Sequence, residues 1–158
     1  MTHSETMASL GVTLPDVVTP VGSYVPALQA GSLVVTSGQL PMREGLLVCT
    51  GKVGHDERAE VSVEQAAAGA SIAVMNALAA VVSVIDSIDR IKRIVKLTVF
   101  VNSAPGFTDQ PKVANGASDL LVKIFGPAGR HVRSAVGVSA LPLDAAIELE
   151  LMVQSTAD

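Results

Sequence analysis

The sequence predicts an α+β domain, with one mixed sheet and two helices on one of its faces. Three observations carry that expectation. Two stretches, one running from Ser62 and one from Pro111, show helical spacing behind recognisable start signals. Short runs of β-branched and aliphatic residues lie before, between and after them. No linker interrupts the 158 residues, a length that suits one domain with a sizeable core. The order read along the chain is β-β-(β)-α-β-α-β-β, which fits two packed layers. The sheet face without helices still carries apolar residues, so oligomerisation is expected.

Composition narrows the function classes. Hydrophobic residues make up 49% of the chain and aromatics only 3%, so the core must be built from Ala, Val, Leu and Ile. The net charge is −4 and Lys and Arg form no run, which argues against nucleic acid or an anionic membrane as partner. Cys49 is the single cysteine, so an intrachain disulfide is excluded and a cytoplasmic location is the default. The start, MTHSETMASLG, has no basic segment and no continuous apolar stretch, unlike a signal peptide. The apolar segment Ile72 to Ile85 is interrupted by Asn76 and Ser83 and is short for a bilayer span.

Residues 1–19 show no period and are expected to form an arm, ordered only against a neighbour. The domain proper is expected over residues 20–155. Tyr24 to Leu28 and Ser32 to Ser37 read as a hairpin turning at Gly31. The second strand runs into Ser37-Gly38-Gln39, where Gly38 permits a bulge or the close approach of a ligand. Pro41 to Glu60 is irregular, long for a connection and placed to edge a site. Leu46 to Cys49 offers a short strand, paired through a turn at Thr50-Gly51. Ser62-Val63-Glu64-Gln65 is a capping box. Behind it Val63, Ala66, Ala70, Val74, Ala77, Leu78, Val81 and Ile85 keep helical spacing, and the helix is expected to end near Asp86 to Asp89. Ile91 to Asn102 is the strongest strand, its Arg90, Lys92, Arg93 and Lys96 marking a solvated face. Pro111 opens the second helix and Gly126 closes it, with Pro127 blocking continuation.

The chain ends in two expected strands, Val132 to Leu141 and Ala146 to Val153, joined by a turn with Pro142 and Asp144. Arg133 and Glu148 sit inside these apolar runs. Buried charge is costly unless paired or used, so the two either reach water or a partner or form a polar site. Alternation puts His131 and Arg133 on one face, and Glu148 and Glu150 on one face. Other chemistry is not signalled. GxGxxG, GxxxxGK[ST], CxxC and GxSxG are all absent. His3 and His55 read as surface or loop residues, and Cys49 as a small buried or loop residue.

Tyr24-Val25, Ser37-Gly38-Gln39-Leu40-Pro41, Val99-Phe100-Val101, Arg133-Ser134-Ala135 and Ile147-Glu148-Leu149-Glu150, in this order and spacing, resemble the YjgF/RidA family, also called endoribonuclease L-PSP or translation inhibitor. The likeness runs from about Pro20 to Val153. Asn115 to Leu121 (NGASDLL) and Gly129 to Leu143 resemble a longer subgroup. The resemblance implies a chorismate-mutase-like fold in a homotrimeric barrel with clefts between subunits. It implies hydrolysis of reactive enamines and imines, such as 2-aminoacrylate, to 2-oxo acids and ammonia, a hydrolase (deaminase) activity on C=N bonds with no metal or organic cofactor. The partner it implies is a small carboxylate-bearing imine or enamine, with no nucleic acid and no membrane. Arg133 matches the arginine that binds the substrate carboxylate, and its planar fork suits that contact. Glu148 matches the glutamate that orients or activates water. Tyr24 matches a pocket-lining tyrosine on the first strand, Ser37 and Gly38 match strand-end positions near the ligand, and Asn115 matches an asparagine near the cleft. Ala135 stands where other members often have Cys.

Bland readings stand beside these. Arg133 could form a structural ion pair, Glu148 could merely neutralise it, and Tyr24, Ser37, Gly38 and Asn115 could serve packing, strand ends or an interface. The rival functions are a non-catalytic trimer that binds metabolites or a protein, and the ribonuclease of the older family label.

Overall fold

The computed structural model describes residues 1–156 of the chain. Its main sheet has five strands, β1 (Ala27–Ala30), β2 (Leu33–Thr36), β5 (Ile91–Asn102), β6 (Val132–Val138) and β7 (Ile147–Ser155), in the order β1-β2-β7-β5-β6. Two-residue strands β3 (Met42–Arg43) and β4 (Leu46–Leu47) form a separate ribbon. The long helices α2 (Val63–Ile85) and α3 (Gln110–Phe125) pack side by side on one face of the sheet, so the predicted α+β layering holds.

The expected C-terminal hairpin is not formed. β5 lies between β6 and β7, parallel to the first and antiparallel to the second. A parallel pair needs a crossover, and β5-α3-β6 supplies one with α3 on the helical face. The turn Leu141–Ala145 therefore spans from the sheet edge over β5 rather than joining neighbours. Inside it Leu143 and Asp144 have φ of 57° and 56°, consecutive left-handed non-glycine residues. Asn102, fully buried, donates from Nδ2 to Asp144 Oδ1 (3.1 Å) and the Ala145 carbonyl (3.2 Å), which clamps the turn.

Local signals worked well elsewhere. Ser62 Oγ accepts from the Gln65 N–H (3.1 Å) and Gln65 Oε1 from the Ser62 N–H (2.9 Å), the expected capping box. α2 ends at Asp86 in the left-handed region. At 23 residues α2 is long and apolar enough to cross a membrane, longer than the interrupted Ile72 to Ile85 segment read from the sequence, yet most of it is buried in the core. Ala66, Ala70, Ala73, Val74, Ala77, Leu78 and Val81 are fully buried. Small residues set the spacing between helices. A Cβ on Gly116 would lie 1.9 Å from the Ala67 carbonyl oxygen, so only glycine lets α3 come this close to α2.

Two other expectations change. The N-terminal segment contains a helix, α1 (His3–Ser9), docked on its own chain rather than left for a neighbour. Thr2 and Glu5 make a capping box. Met7 is buried, the His3 ring lies 4.6 Å from that of Phe125, and Ser4 bonds Asp89 through its N–H and its hydroxyl. The β3–β4 ribbon turns at Glu44-Gly45, both left-handed, and not at Thr50-Gly51. Thr50 instead bridges to Ala145, and the Gly51 N–H donates to the Asp144 carbonyl (2.8 Å). The long segment after β4 thus backs the β6–β7 turn.

Candidate functional site

The five predicted polar positions and the two small ones fall into two groups, set by strand register. In β5, Leu97, Val99 and Val101 are buried beneath the helices, while Lys96, Thr98 and Phe100 face the other way. Arg133 is opposite Leu97 and Ala135 opposite Val99, so both lie on the helical side. Glu148 is opposite Phe100 and Glu150 opposite Thr98, so both lie on the open side. Arg133 and Glu148 therefore occupy opposite faces of one sheet and make no ion pair.

The first group surrounds Arg133 on edge strand β6. Its Nη1 donates to Asn115 Oδ1 (2.8 Å) and to Ser118 Oγ (3.1 Å). Asn115 and Ser118 are three apart on α3, which places them on one helix face. His131, two residues back along the strand direction, also reaches Ser118, at 3.0 Å from Nε2. Sequence reasoning named Asn115 and singled out His131; it gave no sign of Ser118. Ala135 is half-buried against the core, with a methyl where a thiol would be.

The second group lies on the open face. The pairing of β2 with β7 runs through Val35 and Met152, then resumes at Gln39 and Leu149 with one extra residue on the first strand. That is a bulge. Within it the Leu151 N–H is taken by Thr36 Oγ1 (3.0 Å). The bulge turns Gly38 onto Glu148. A Cβ there would sit 1.8 Å from Glu148 Oε1, so the glycine backbone lets the carboxylate lie where any larger residue would displace it. Ser37 Oγ donates to the Val25 carbonyl (2.7 Å), and its N–H to that of Pro26. These bonds replace the ladder expected for Tyr24 to Pro26, so Tyr24 precedes β1 instead of lying in it. Tyr24 is 52% exposed and, with Pro26, Gly38, Gln39, Leu40 and Leu143, lines a cavity of about 160 Å³.

Burial is the larger cause that pushes the Glu148 carboxyl above the usual range, and the neighbouring Glu150 charge adds to it. A half-buried carboxylate with a raised pKa holds its proton more readily than a free one, as a group in acid/base work does. Burial likewise pushes the Cys49 thiol up, and its sulfur is packed against Gly69, so the residue is structural. A larger cavity of about 730 Å³ lies outside α2, beneath residues 12–19, with none of the predicted site residues in its wall.

Around Glu148 the open face exposes Leu28, Leu33, Val35, Val132 and Val136. A family model described as "YjgF/chorismate mutase-like, putative endoribonuclease" matches residues 4–154. The chain belongs to that YjgF/chorismate mutase-like family. Protein TCP17 of Trypanosoma cruzi is 41% identical over 146 residues, covering 92% of this chain and 89% of that one. Among solved structures, Atu1372 of Agrobacterium tumefaciens is 38% identical with a TM-score of 0.85, covering 98% of this chain and 92% of that one. TdcF of Escherichia coli, solved with bound serine, is 25% identical with a TM-score of 0.61, covering 90% of this chain and 99% of that one. The matched span of the YjgF-family protein includes α1, so the family likeness reaches into the segment read as an arm.

Proposed function

We propose that the protein is an enamine/imine deaminase that works as a homotrimer, with each site built between two subunits. The observation that carries this reading is the division of the site. One sheet face holds an arginine whose Nη1 is already tied, while Nε and Nη2 make no hydrogen bond among the described residues. The other face holds a desolvated glutamate against a bare backbone. Neither group alone does useful chemistry, and the apolar open face offers a surface for a second copy. Docking that face brings Glu148 to Arg133 of the partner subunit. The serine bound to TdcF supports a ligand of this size with a carboxylate. The single, structural Cys49 is compatible with a cytoplasmic setting.

In the proposed reaction the arginine fork holds the carboxylate of a 2-imino acid. Glu148 takes a proton from water as the water oxygen bonds to C2, the imine C=N electron pair moves to nitrogen, and nitrogen takes that proton from Glu148. The carbinolamine then expels ammonia as the C–N bond breaks and the C2 hydroxyl proton is lost, leaving the 2-oxo acid. An enamine substrate first takes a proton at C3. Orientation and one acid/base contact suffice, because free imines hydrolyse in water without help. The test is hydrolysis of freshly generated 2-aminoacrylate or 2-iminobutanoate, trapped with semicarbazide. Wild type is expected to speed product formation and Arg133→Ala to lose it. Equal traces with both proteins would overturn the deaminase reading and leave a ligand-binding trimer.

A further inference from the structure

Resting on the reading of Arg133 as the carboxylate anchor, we infer that Ser118 and His131 are positioning residues that hold the guanidinium side-on, with its Nε–H and Nη2–H edge turned to the ligand. The argument is one of donors and acceptors. His131 Nδ1 lies 2.7 Å from the Gly129 carbonyl oxygen, which can only accept, so Nδ1 carries the proton. In the neutral form of the ring Nε2 is then an acceptor. The Ser118 hydroxyl, 3.0 Å away, must donate its one proton to it. That leaves only lone pairs on Ser118 Oγ towards Arg133, and Nη1 donates into them at 3.1 Å. The second Nη1 proton goes to Asn115 Oδ1. Every group in the chain Gly129–His131–Ser118–Arg133 has its direction fixed by the one before it.

The fold supplies rigidity at both ends. A Cβ on Gly129 would lie 2.4 Å from the Leu121 carbonyl oxygen, so the loop carrying the first acceptor is packed hard on α3. α3 is in turn seated on α2 through the Gly116 contact and the 2.8 Å bond from Ser71 Oγ to the Gly116 carbonyl. With both Nη1 protons consumed, the parallel pair on Nε and Nη2 is the fork left for a carboxylate, and it arrives already oriented. A long arginine side chain otherwise surrenders rotamer freedom on binding, which this chain removes in advance.

The test uses Ser118→Ala, His131→Ala, the double variant and Ser118→Thr, with Arg133→Ala as reference. Turnover of 2-iminobutanoate gives KM and kcat, and titration with 2-oxobutanoate gives Kd with or without turnover. Ser118→Ala is expected to raise KM and Kd roughly 5- to 10-fold, the size of one lost charge-assisted hydrogen bond, with kcat within about twofold. His131→Ala should raise them less. The double variant should be no worse than Ser118→Ala, since one chain is broken once. Ser118→Thr, which keeps the hydroxyl, should stay near wild type. Unchanged KM and Kd in Ser118→Ala, losses that multiply in the double variant, or failure of Ser118→Thr to retain binding would each overturn the inference. If Arg133→Ala weakens binding while Ser118→Ala does not, the positioning role alone fails. If Arg133→Ala changes neither KM nor Kd, the anchor reading fails and takes this one with it.

Discussion

The two halves of the candidate site are built on opposite principles. On the helical face, Arg133 is held by side chains, each contributed by regular structure and each with a defined hydrogen-bond direction. On the open face, Glu148 is half-buried, has no positive partner among the described residues and lies against the bare backbone of Gly38. The first arrangement fixes a permanent charge that binds. The second raises the hold of the carboxyl on its proton. Within one chain the thickness of the sheet separates the two groups.

The largest effect should come from breaking either half. Arg133→Ala and Glu148→Gln are each expected to cut kcat/KM by roughly 100-fold or more, the first mainly through KM and the second through kcat, as steady-state kinetics would separate. Mixing the two dead variants after partial unfolding and reassembly then sharpens the point. Interfaces that join an intact arginine to an intact glutamate should recover about a quarter of wild-type activity. No recovery would place both groups in one subunit's site.

Gly38→Ala is the next step down. The added methyl must push the Glu148 carboxylate aside, so activity should fall roughly tenfold with substrate binding less affected. A crystal structure or kinetics alongside Glu148→Gln would show the two losses do not add.

Glu150→Gln is a finer probe. Removing its charge takes away one of the two causes that raise the Glu148 pKa, so the acidic limb of the kcat/KM profile should move to lower pH. Stability follows the same sign. The folded state holds the Glu148 proton to higher pH than the unfolded chain does. Its contribution therefore favours folding at low pH and turns against it as pH rises through the folded pKa. Glu148→Gln should accordingly be inactive yet melt at or above the wild-type temperature at neutral pH.

Much of the fold was legible because it rests on local signals. The Ser62/Gln65 box, the strand from Ile91 to Asn102 and the Gly126 cap each follow from a few adjacent residues. The α1 cap was legible too, as Thr2-x-x-Glu5, but a seven-residue helix with one buried anchor leaves no period to find. Strand order was not legible, because the insertion of β5 between β6 and β7 depends on a crossover that no local pattern encodes. The site divides in the same way. Arg133 and Glu148 stood out as charges inside apolar strands, and alternation linked His131 to Arg133. Ser118 lies inside the Asn115 to Leu121 motif, but nothing in that run gives its hydroxyl a role of its own. That the two charges face apart could be seen only once the register was known.

The turn that carries Leu143 has a practical side for protein engineering. Leu143 is 73% exposed and held with φ at 57°, a conformation that burdens a leucine by about 1–2 kcal/mol. Asn or Gly would relieve that strain, and Leu143→Asn should raise unfolding stability by about 1 kcal/mol in a denaturant titration. Anyone stabilising this scaffold by consensus or by computation will be drawn to that position first. The same leucine forms part of the wall beside Tyr24 and Gly38. A sturdier protein obtained there would have a wider mouth, so thermal tolerance and choice of substrate would be traded at a single surface residue.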